Sequence, residues 1–240
     1  MMTRDILFKN TSDLTESFRF DDDVAEVFSD MIQRSVPGYG TMLSMIGLAA
    51  ERYIQPGTYA YDLGCSLGAS TLAISKGRVG DDFQIKAVDK SEAMVGKARL
   101  NLSTLSTHVE LTCADVREVK IESASLVVLN LTLQFLPRED RLSLLTKVAR
   151  GMVPGGALIL SEKVLFSDPT RQQVMTDLYY DFKRANGYSD LEIAQKRNAL
   201  EKVMVLDTIE EHKERLESAG FSSHEMWFQA MNFMSILAIK

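Results

Sequence analysis

Apolar positions along this chain follow a helical rhythm at first and then gather into short continuous runs. From Asp21 onward Val24, Val27, Phe28, Met31 and Ile32 recur at helical spacing. The acidic start Asp21-Asp22-Asp23 suits the positive end of a helix. Ser35-Val36-Pro37-Gly38 breaks the pattern. A second helix is predicted up to Tyr53, with Met42, Met45, Ile46, Leu48 and Ala49 facing inward, and Pro56-Gly57 ends it. Strands are then predicted at 59–63, 84–89, 108–113, 124–130 and 157–161, with helices at 70–76, 91–102 and 138–152 between them. Short apolar runs alternating with helices predict a mostly parallel sheet covered on both faces.

Beyond Lys163 the alternation stops. Residues 168–219 read as mostly helical, with Tyr179, Tyr180, Phe182 and Tyr188 interleaved and Gly220 as a cap. Residues 224–230 and 233–240 read as a closing strand pair, which makes the sheet mixed. A helical cap (1–56), a core (57–165), a helical insert (166–220) and a closing hairpin (221–240) make up one α/β domain. Residues 1–20 read as a tethering loop.

Composition narrows the class. The 240 residues, 45% of them hydrophobic, suit one globular domain. A net charge of -6 argues against a direct grip on nucleic acid. No apolar run has the length to span a bilayer, and the first residues do not read as a secretory signal. Cys65 and Cys113 lie in apolar runs and read as reduced core thiols, which points to the cytoplasm. His108, His212 and His224 form no metal spacing, so no metal is expected.

Candidate chemistry centres on Asp62-Leu63-Gly64-Cys65-Ser66-Leu67-Gly68, directly after a strand and directly before a helix. Glycines there allow a tight turn and close approach of a ligand. Ser66 stands where a phosphate-gripping loop has its middle glycine, and the acid Asp62 precedes the turn. That suits a cationic ligand, such as the ammonium and sulfonium of S-adenosylmethionine, better than a pyrophosphate. Taken alone, the loop is equally a strand-turn-helix joint. Three further strand ends weigh for a site. Asp89 can accept both hydroxyls of a ribose, Asp115 can accept from an adenine amino group beside the Val116 backbone, and Asn130 ends the fourth strand. Polar residues at four consecutive strand ends lie where open α/β sheets bind ligands.

This set resembles the class I S-adenosylmethionine-dependent methyltransferase family over residues 57–165 and the terminal hairpin. The resemblance implies a Rossmann-like, seven-stranded sheet whose last hairpin carries one antiparallel strand. A narrower resemblance runs nearly end to end. Phe20-Asp21-Asp22-Asp23-Val24, Asp30-Met31-Ile32-Gln33-Arg34-Ser35-Val36-Pro37-Gly38-Tyr39, Leu129-Asn130-Leu131-Thr132-Leu133-Gln134-Phe135, Leu160-Ser161-Glu162-Lys163, Asp181-Phe182-Lys183-Arg184-Ala185-Asn186-Gly187-Tyr188 and Gln195-Lys196-Arg197 are similar to the carboxy-S-adenosylmethionine synthases.

The resemblance implies that prephenate gives up a carboxylate to the methyl carbon of S-adenosylmethionine, leaving phenylpyruvate. It implies a homodimer, whose product goes to a tRNA carboxymethyltransferase acting on a wobble uridine. It also implies cofactor contacts at Tyr39, Gly64, Cys65, Ser66, Asp89, Lys90, Asp115, Val116, Asn130 and Arg197. Lys90 offers only a backbone contact. Arg197 offers a planar fork for the new carboxylate and is placed as a lid over the reactive carbon. On spacing alone, the same arginine reads as a solvated helix residue. Arg34 and Arg184 are candidates for the carboxylates of prephenate, and Trp227 reads as core. No obvious general base stands out. The competing readings are an ordinary small-molecule methyltransferase, a non-catalytic S-adenosylmethionine-binding regulator and, disfavoured by Asp62 and Ser66, an NAD oxidoreductase.

Overall fold

The computed structural model describes residues 3–8, 18–78, 80 and 82–240. Two helices come first, α1 (Asp22–Ser35) and α2 (Tyr39–Tyr53). Asp21 caps α1 by accepting the Val24 N–H. The alternating part follows: β1 (Tyr59–Leu63), α3 (Ala69–Gly77), β2 (Gln84–Asp89), α4 (Glu92–Asn101), β3 (Val109–Cys113), β4 (Ala124–Asn130), α5 (Arg138–Gly151) and β5 (Met152–Leu165). The insert supplies α6 (Pro169–Ala185), α7 (Asp190–Leu200), the two-residue β6 (Asp207–Thr208) and α8 (Ile209–Ala219). β7 (Ser223–Ala230) and β8 (Phe233–Ile239) close the chain.

Strand order is β3-β2-β1-β4-β5-β8-β7, with β6 paired to β5 off that path. β1 to β5 are parallel, and β8 runs antiparallel to both β5 and β7. Side chains alternate between the two faces. Val127 and Leu129 of β4 join Leu144, Leu145, Val148 and Leu216 on one side. Leu126 and Val128 join Ile46, Ala50 and Ile74 on the other. Each such fully buried Val, Leu or Ile side chain contributes about 1.5–3 kcal/mol relative to exposure. α2 and α3 touch backbone to backbone: a Cβ on Gly77 would lie 2.0 Å from the Gly47 carbonyl oxygen.

Several expectations differ from the structure. Leu48 faces solvent, 56% exposed, because α2 buries a narrower stripe of Met42, Ile46, Ala49 and Ala50. Cys113 is exposed, because β3 is the outer strand of the sheet; Cys65 is buried, and both thiols are free. Tyr179 and Tyr188 are buried inside the chain. β5 begins at Met152 and continues to Leu165, well beyond the predicted 157–161.

Part of the expected tether is visible. Asp5 accepts the Tyr188 hydroxyl at 2.6 Å, and its N–H donates to Asp30, linking the insert to α1. Residues 9–17 of that segment lie outside the described residues. Among the described residues no helix is long and apolar enough to cross a membrane, and no three His, Cys, Asp or Glu gather to hold a metal ion.

Candidate active site

The carboxyl ends of β1, β2, β4 and β5 open onto a cavity of about 340 Å³. Tyr39, Gly64, Cys65, Ser66, Asp89, Lys90, Asp115, Val116 and Asn130 line it, and Arg197 does not.

The turn after β1 is closed upon itself. Gly64 has φ +85°, and a Cβ there would strike Thr132 Oγ1 at 2.3 Å, so only glycine fits. The N–H groups of Gly64 and Cys65 both donate to the Val88 carbonyl, at 2.8 and 2.9 Å, and Gly68 donates to Cys65 at 2.8 Å. Ser66 N–H donates to Asp89 Oδ2 at 2.8 Å. A pyrophosphate loop must leave such donors open to its ligand, and here they are engaged within the chain. The turn offers acceptors instead. Asp62 Oδ2 accepts the Thr71 hydroxyl at 2.6 Å. Asp62 Oδ1 and Asn130 Oδ1 are buried without a hydrogen-bond partner among the described residues. Burial raises the Asp62 pKa to about 7, so a cation here would restore its charged form. Tyr39 lies near enough for Asp62 to add to the effect of burial in raising the phenol's pKa. Asn130 and Tyr39 line the cavity, and the orphaned Asn130 Oδ1, with the buried Asp62 carboxylate close to Tyr39, fits an ammonium donor. Ser66 (φ 48°) and Leu131 (φ 63°), both on the cavity wall, hold left-handed conformations that L side chains rarely adopt.

Asp89 is fixed by its backbone neighbours: Oδ1 accepts Ser91 N–H at 2.9 Å while Oδ2 accepts Ser66. Each oxygen keeps further lone pairs, which suits the paired hydroxyls of a ribose. Asp115 is not an open carboxylate. Arg117 clasps it from Nε (2.9 Å) and Nη2 (2.7 Å), and Lys90 Nζ lies 3.6 Å away. The Arg117 hydrogen bonds hold its carboxyl well below the usual carboxylate range. The Lys90 side chain is mostly in solvent. Val116 is buried beside the T-shaped pair Phe20 and Phe135, whose centroids are 5.3 Å apart, and these give this end an apolar wall. Sequence reasoning missed both phenylalanines. Phe20 fell in a segment read as a tether, and Phe135 follows a strand end where only polar residues were sought.

The other end of the cavity is lined by Lys163, Tyr179, Lys196 and Phe233. None of these was a sequence candidate, although Lys163 lies two residues before the end of β5, as Asp89 and Asn130 end their strands. Its pKa is lowered to about 8 by burial, so it can pair with an anion and exchange a proton near neutrality. Arg34 and Arg184, expected to bind carboxylates, are engaged elsewhere. Arg34 donates to the Asn186 carbonyl at 2.7 Å, pairs with Asp30 and lies over the Tyr188 ring. Arg184 pairs with Asp181 and Asp190 at the surface. Arg197, one residue on from Lys196, is turned from it by about 100° around α7. It is half exposed, 3.4 Å from the Tyr180 hydroxyl and 3.7 Å from Glu201. Trp227 packs on Phe228 and does not reach the cavity.

Fold and site together define a class I methyltransferase fold. Residues 60–156 match the methyltransferase domain family. Solved structures of human N-acetylserotonin methyltransferase in complex with SAM and of an O-methyltransferase family protein from Burkholderia thailandensis share the fold. Their TM-scores are 0.60 and 0.65 at 17% and 13% identity, over 91% of this chain in each case. The chain spans 55% and 59% of their lengths. Curated relatives are far closer in sequence. The carboxy-S-adenosyl-L-methionine synthase of Trichlorobacter lovleyi is 57% identical over 93% of both chains. That of Haemophilus ducreyi is 52% identical over 100% of this chain and 99% of its own. The chain belongs to the carboxy-S-adenosyl-L-methionine synthase family.

Proposed function

We propose that the chain converts S-adenosyl-L-methionine and prephenate to carboxy-S-adenosyl-L-methionine and phenylpyruvate. The observation that carries this reading is one cavity with two unlike ends. One end has the acceptors for a ribose and an ammonium, and the other has buried cations for a carboxylate-bearing second substrate. A methyltransferase acting on a neutral acceptor has no use for the cationic end.

When bound, S-adenosyl-L-methionine supplies a methyl carbon whose protons the adjoining sulfonium acidifies. The chain's residues do the rest. Asp89 and Asp115 orient the nucleoside, and Asn130, with Asp62 beneath the turn, anchors the ammonium. Prephenate gives up its ring carboxyl as carbon dioxide and its ring hydroxyl as hydroxide. The methyl carbon gives up a proton as it bonds to the carbon dioxide, and proton and hydroxide leave as water. Phe20, Phe135, Tyr179 and Phe233 exclude solvent, so that the carboxyl fragment meets the methyl carbon first. Arg197 reads the carboxylate of the product. Because it stands outside its own chain's cavity, that role calls for a second copy or a movement of α7.

A homodimer provides the second copy. Its support lies in the insert, where Val174 and Leu178 leave apolar side chains 47% and 45% exposed, one turn apart on α6. Of the aromatic residues that first suggested this contact, Tyr179 and Tyr188 are buried within the chain, while Tyr180 and Phe182 are half-buried. Placement in the cytoplasm is supported by two free thiols. As the family resemblance implies, the product passes to a tRNA carboxymethyltransferase, and this chain makes no direct contact with nucleic acid.

The test follows both substrates chromatographically. The expected result is loss of S-adenosyl-L-methionine only when prephenate is present, matched by phenylpyruvate, without S-adenosylhomocysteine. Accumulation of S-adenosylhomocysteine regardless of prephenate would favour the ordinary methyltransferase.

A further inference from the structure

Three ammonium groups surround two tyrosine rings at the end of the cavity away from the ribose and ammonium acceptors. Lys163 Nζ lies 4.7 Å, and Lys183 Nζ 5.4 Å, from the centre of Tyr179. Lys183 and Lys196 lie 5.6 and 5.1 Å from the centre of Tyr188. The three come from different elements, β5, α6 and α7. Lys183 and Lys196 are each 3% exposed. Lys163 and Lys196 line the cavity, and Lys183 stands behind them.

Counter-charge among the described residues is short. Among the described residues, the one carboxylate within ion-pair distance of the trio is Asp5, 3.5 Å from Lys196. Asp5 also accepts the Tyr188 hydroxyl. Lys196 donates to Ser35 Oγ at 3.0 Å, and the charge of Glu201 acts on Lys163 from farther away. Burial lowers the pKa of Lys196 to about 8 and that of Lys183 to about 7, with Lys196 and Lys163 adding to the effect on Lys183. The aromatic faces relieve part of this conflict. If the trio only filled space, apolar stems would do so without collecting like charges in a buried site. An anion entering the cavity removes the conflict. Because Tyr179 and Phe233 stand beside the cations, an unsaturated ring carrying carboxylates fits better than an inorganic ion.

We infer that Lys163 and Lys196 bind the carboxylates of the second substrate, with Lys183 behind them as a positioning residue. The inference rests on the prephenate reading above and assigns the substrate's place within it. A dianion matches cations supplied in excess of one, whereas S-adenosyl-L-methionine brings a single carboxylate.

The test measures KM for prephenate in Lys163→Met, Lys183→Met and Lys196→Met, and in the arginine variants at the same positions. Affinity for S-adenosylhomocysteine is measured beside it by calorimetry. Lys163→Met is expected to raise the prephenate KM about tenfold or more, the loss of one charge-assisted pair. S-adenosylhomocysteine affinity stays unchanged, and arginine restores part of the loss. Lys183→Met raises KM less, and Lys183→Arg restores it, which a space-filling role would not require. Folding of the variants does not limit the test, because wild type is also treated with a small amine-acetylating reagent in the presence of S-adenosylhomocysteine. Prephenate is expected to shield the cavity-lining Lys163 and Lys196 but not Lys240. Unchanged KM in the methionine variants, or equal acetylation with and without prephenate, overturns the lysine site while leaving the reaction standing. A wild type that consumes no prephenate overturns both.

Discussion

Each oxygen of the Asp89 carboxylate already accepts one backbone N–H, so its position is set before any ligand arrives. Asp89→Ala is therefore expected to remove the ribose contacts and weaken S-adenosylhomocysteine binding by about 1.5–3 kcal/mol, the range for hydrogen bonds to a charged group. Unchanged affinity in calorimetry would take Asp89 out of the site. Arg197 calls for a different comparison. S-adenosylhomocysteine lacks the reacting carbon altogether, whereas the product carries a carboxylate on it. Arg197→Ala is expected to weaken carboxy-S-adenosyl-L-methionine by about tenfold or more, the cost of a charge-assisted pair, and to leave S-adenosylhomocysteine unchanged. Equal effects on both ligands would remove the arginine from that role. That Asp89, Asp115 and Asn130 would meet at one cavity was legible in the sequence, because they end or follow successive strands, where the fold points ligands. The cationic half was not. Lys183 and Lys196 sit on helices 13 positions apart, and only the packing of α6 and α7 over β5 brings them to Lys163. Arg34, the plausible cation by sequence, is held by the Asn186 carbonyl, a contact that spans 152 positions of the chain.

At the scale of elements, β6 and α8 are fastened to α5 by a buried charge network. Asp207 accepts from Arg141 and pairs with Arg215, which hold its carboxyl below its ordinary pKa despite burial. His212, 1% exposed on α8, sits in the same network. Burial first, then Arg215, lowers its pKa from 6.5 to about 4, with Arg141 acting in the same direction and Asp207 and Glu211 opposing. The folded state thus disfavours the imidazolium. The stability that neutral His212 provides is present above pH 6.5, the unfolded value, and is lost as pH falls toward 4. Between pH 7 and pH 5 the loss is about 2 kcal/mol from this residue. Denaturant melts should show a shallower pH dependence in His212→Gln than in wild type, and parallel slopes would contradict the assignment. Sequence periodicity located α1 to α5 to within about a residue, because their caps and breaks are local signals. It shortened β5 at both ends. Pro154-Gly155-Gly156 separates the predicted 138–152 helix from the strand, so the strand is expected to start only at Ala157. In the structure the Glu162 carboxylate turns inward to accept the N–H groups of Leu133 and Gln134, and it anchors the loop after β4. β6 has two residues and leaves no periodic trace.

For the whole molecule, the question is how the insert meets a second copy. Val174 and Leu178 lie one turn apart on α6. Replacing both by aspartate places two charges in the proposed contact, and the dimer mass in light scattering is expected to fall to that of a monomer at micromolar concentration. A dimer that survives the double substitution would move the contact elsewhere. In the proposed reaction a carboxyl group moves from prephenate to the methyl carbon, and no methyl group is transferred. That transfer is tested most directly with prephenate carrying carbon-13 in the ring carboxylate, followed by mass spectrometry and NMR of the nucleoside product. The account predicts a product heavier than S-adenosyl-L-methionine by one labelled carboxyl unit, with the label bonded to the former methyl carbon. An unlabelled nucleoside, or S-adenosylhomocysteine beside unreacted labelled prephenate, would contradict it.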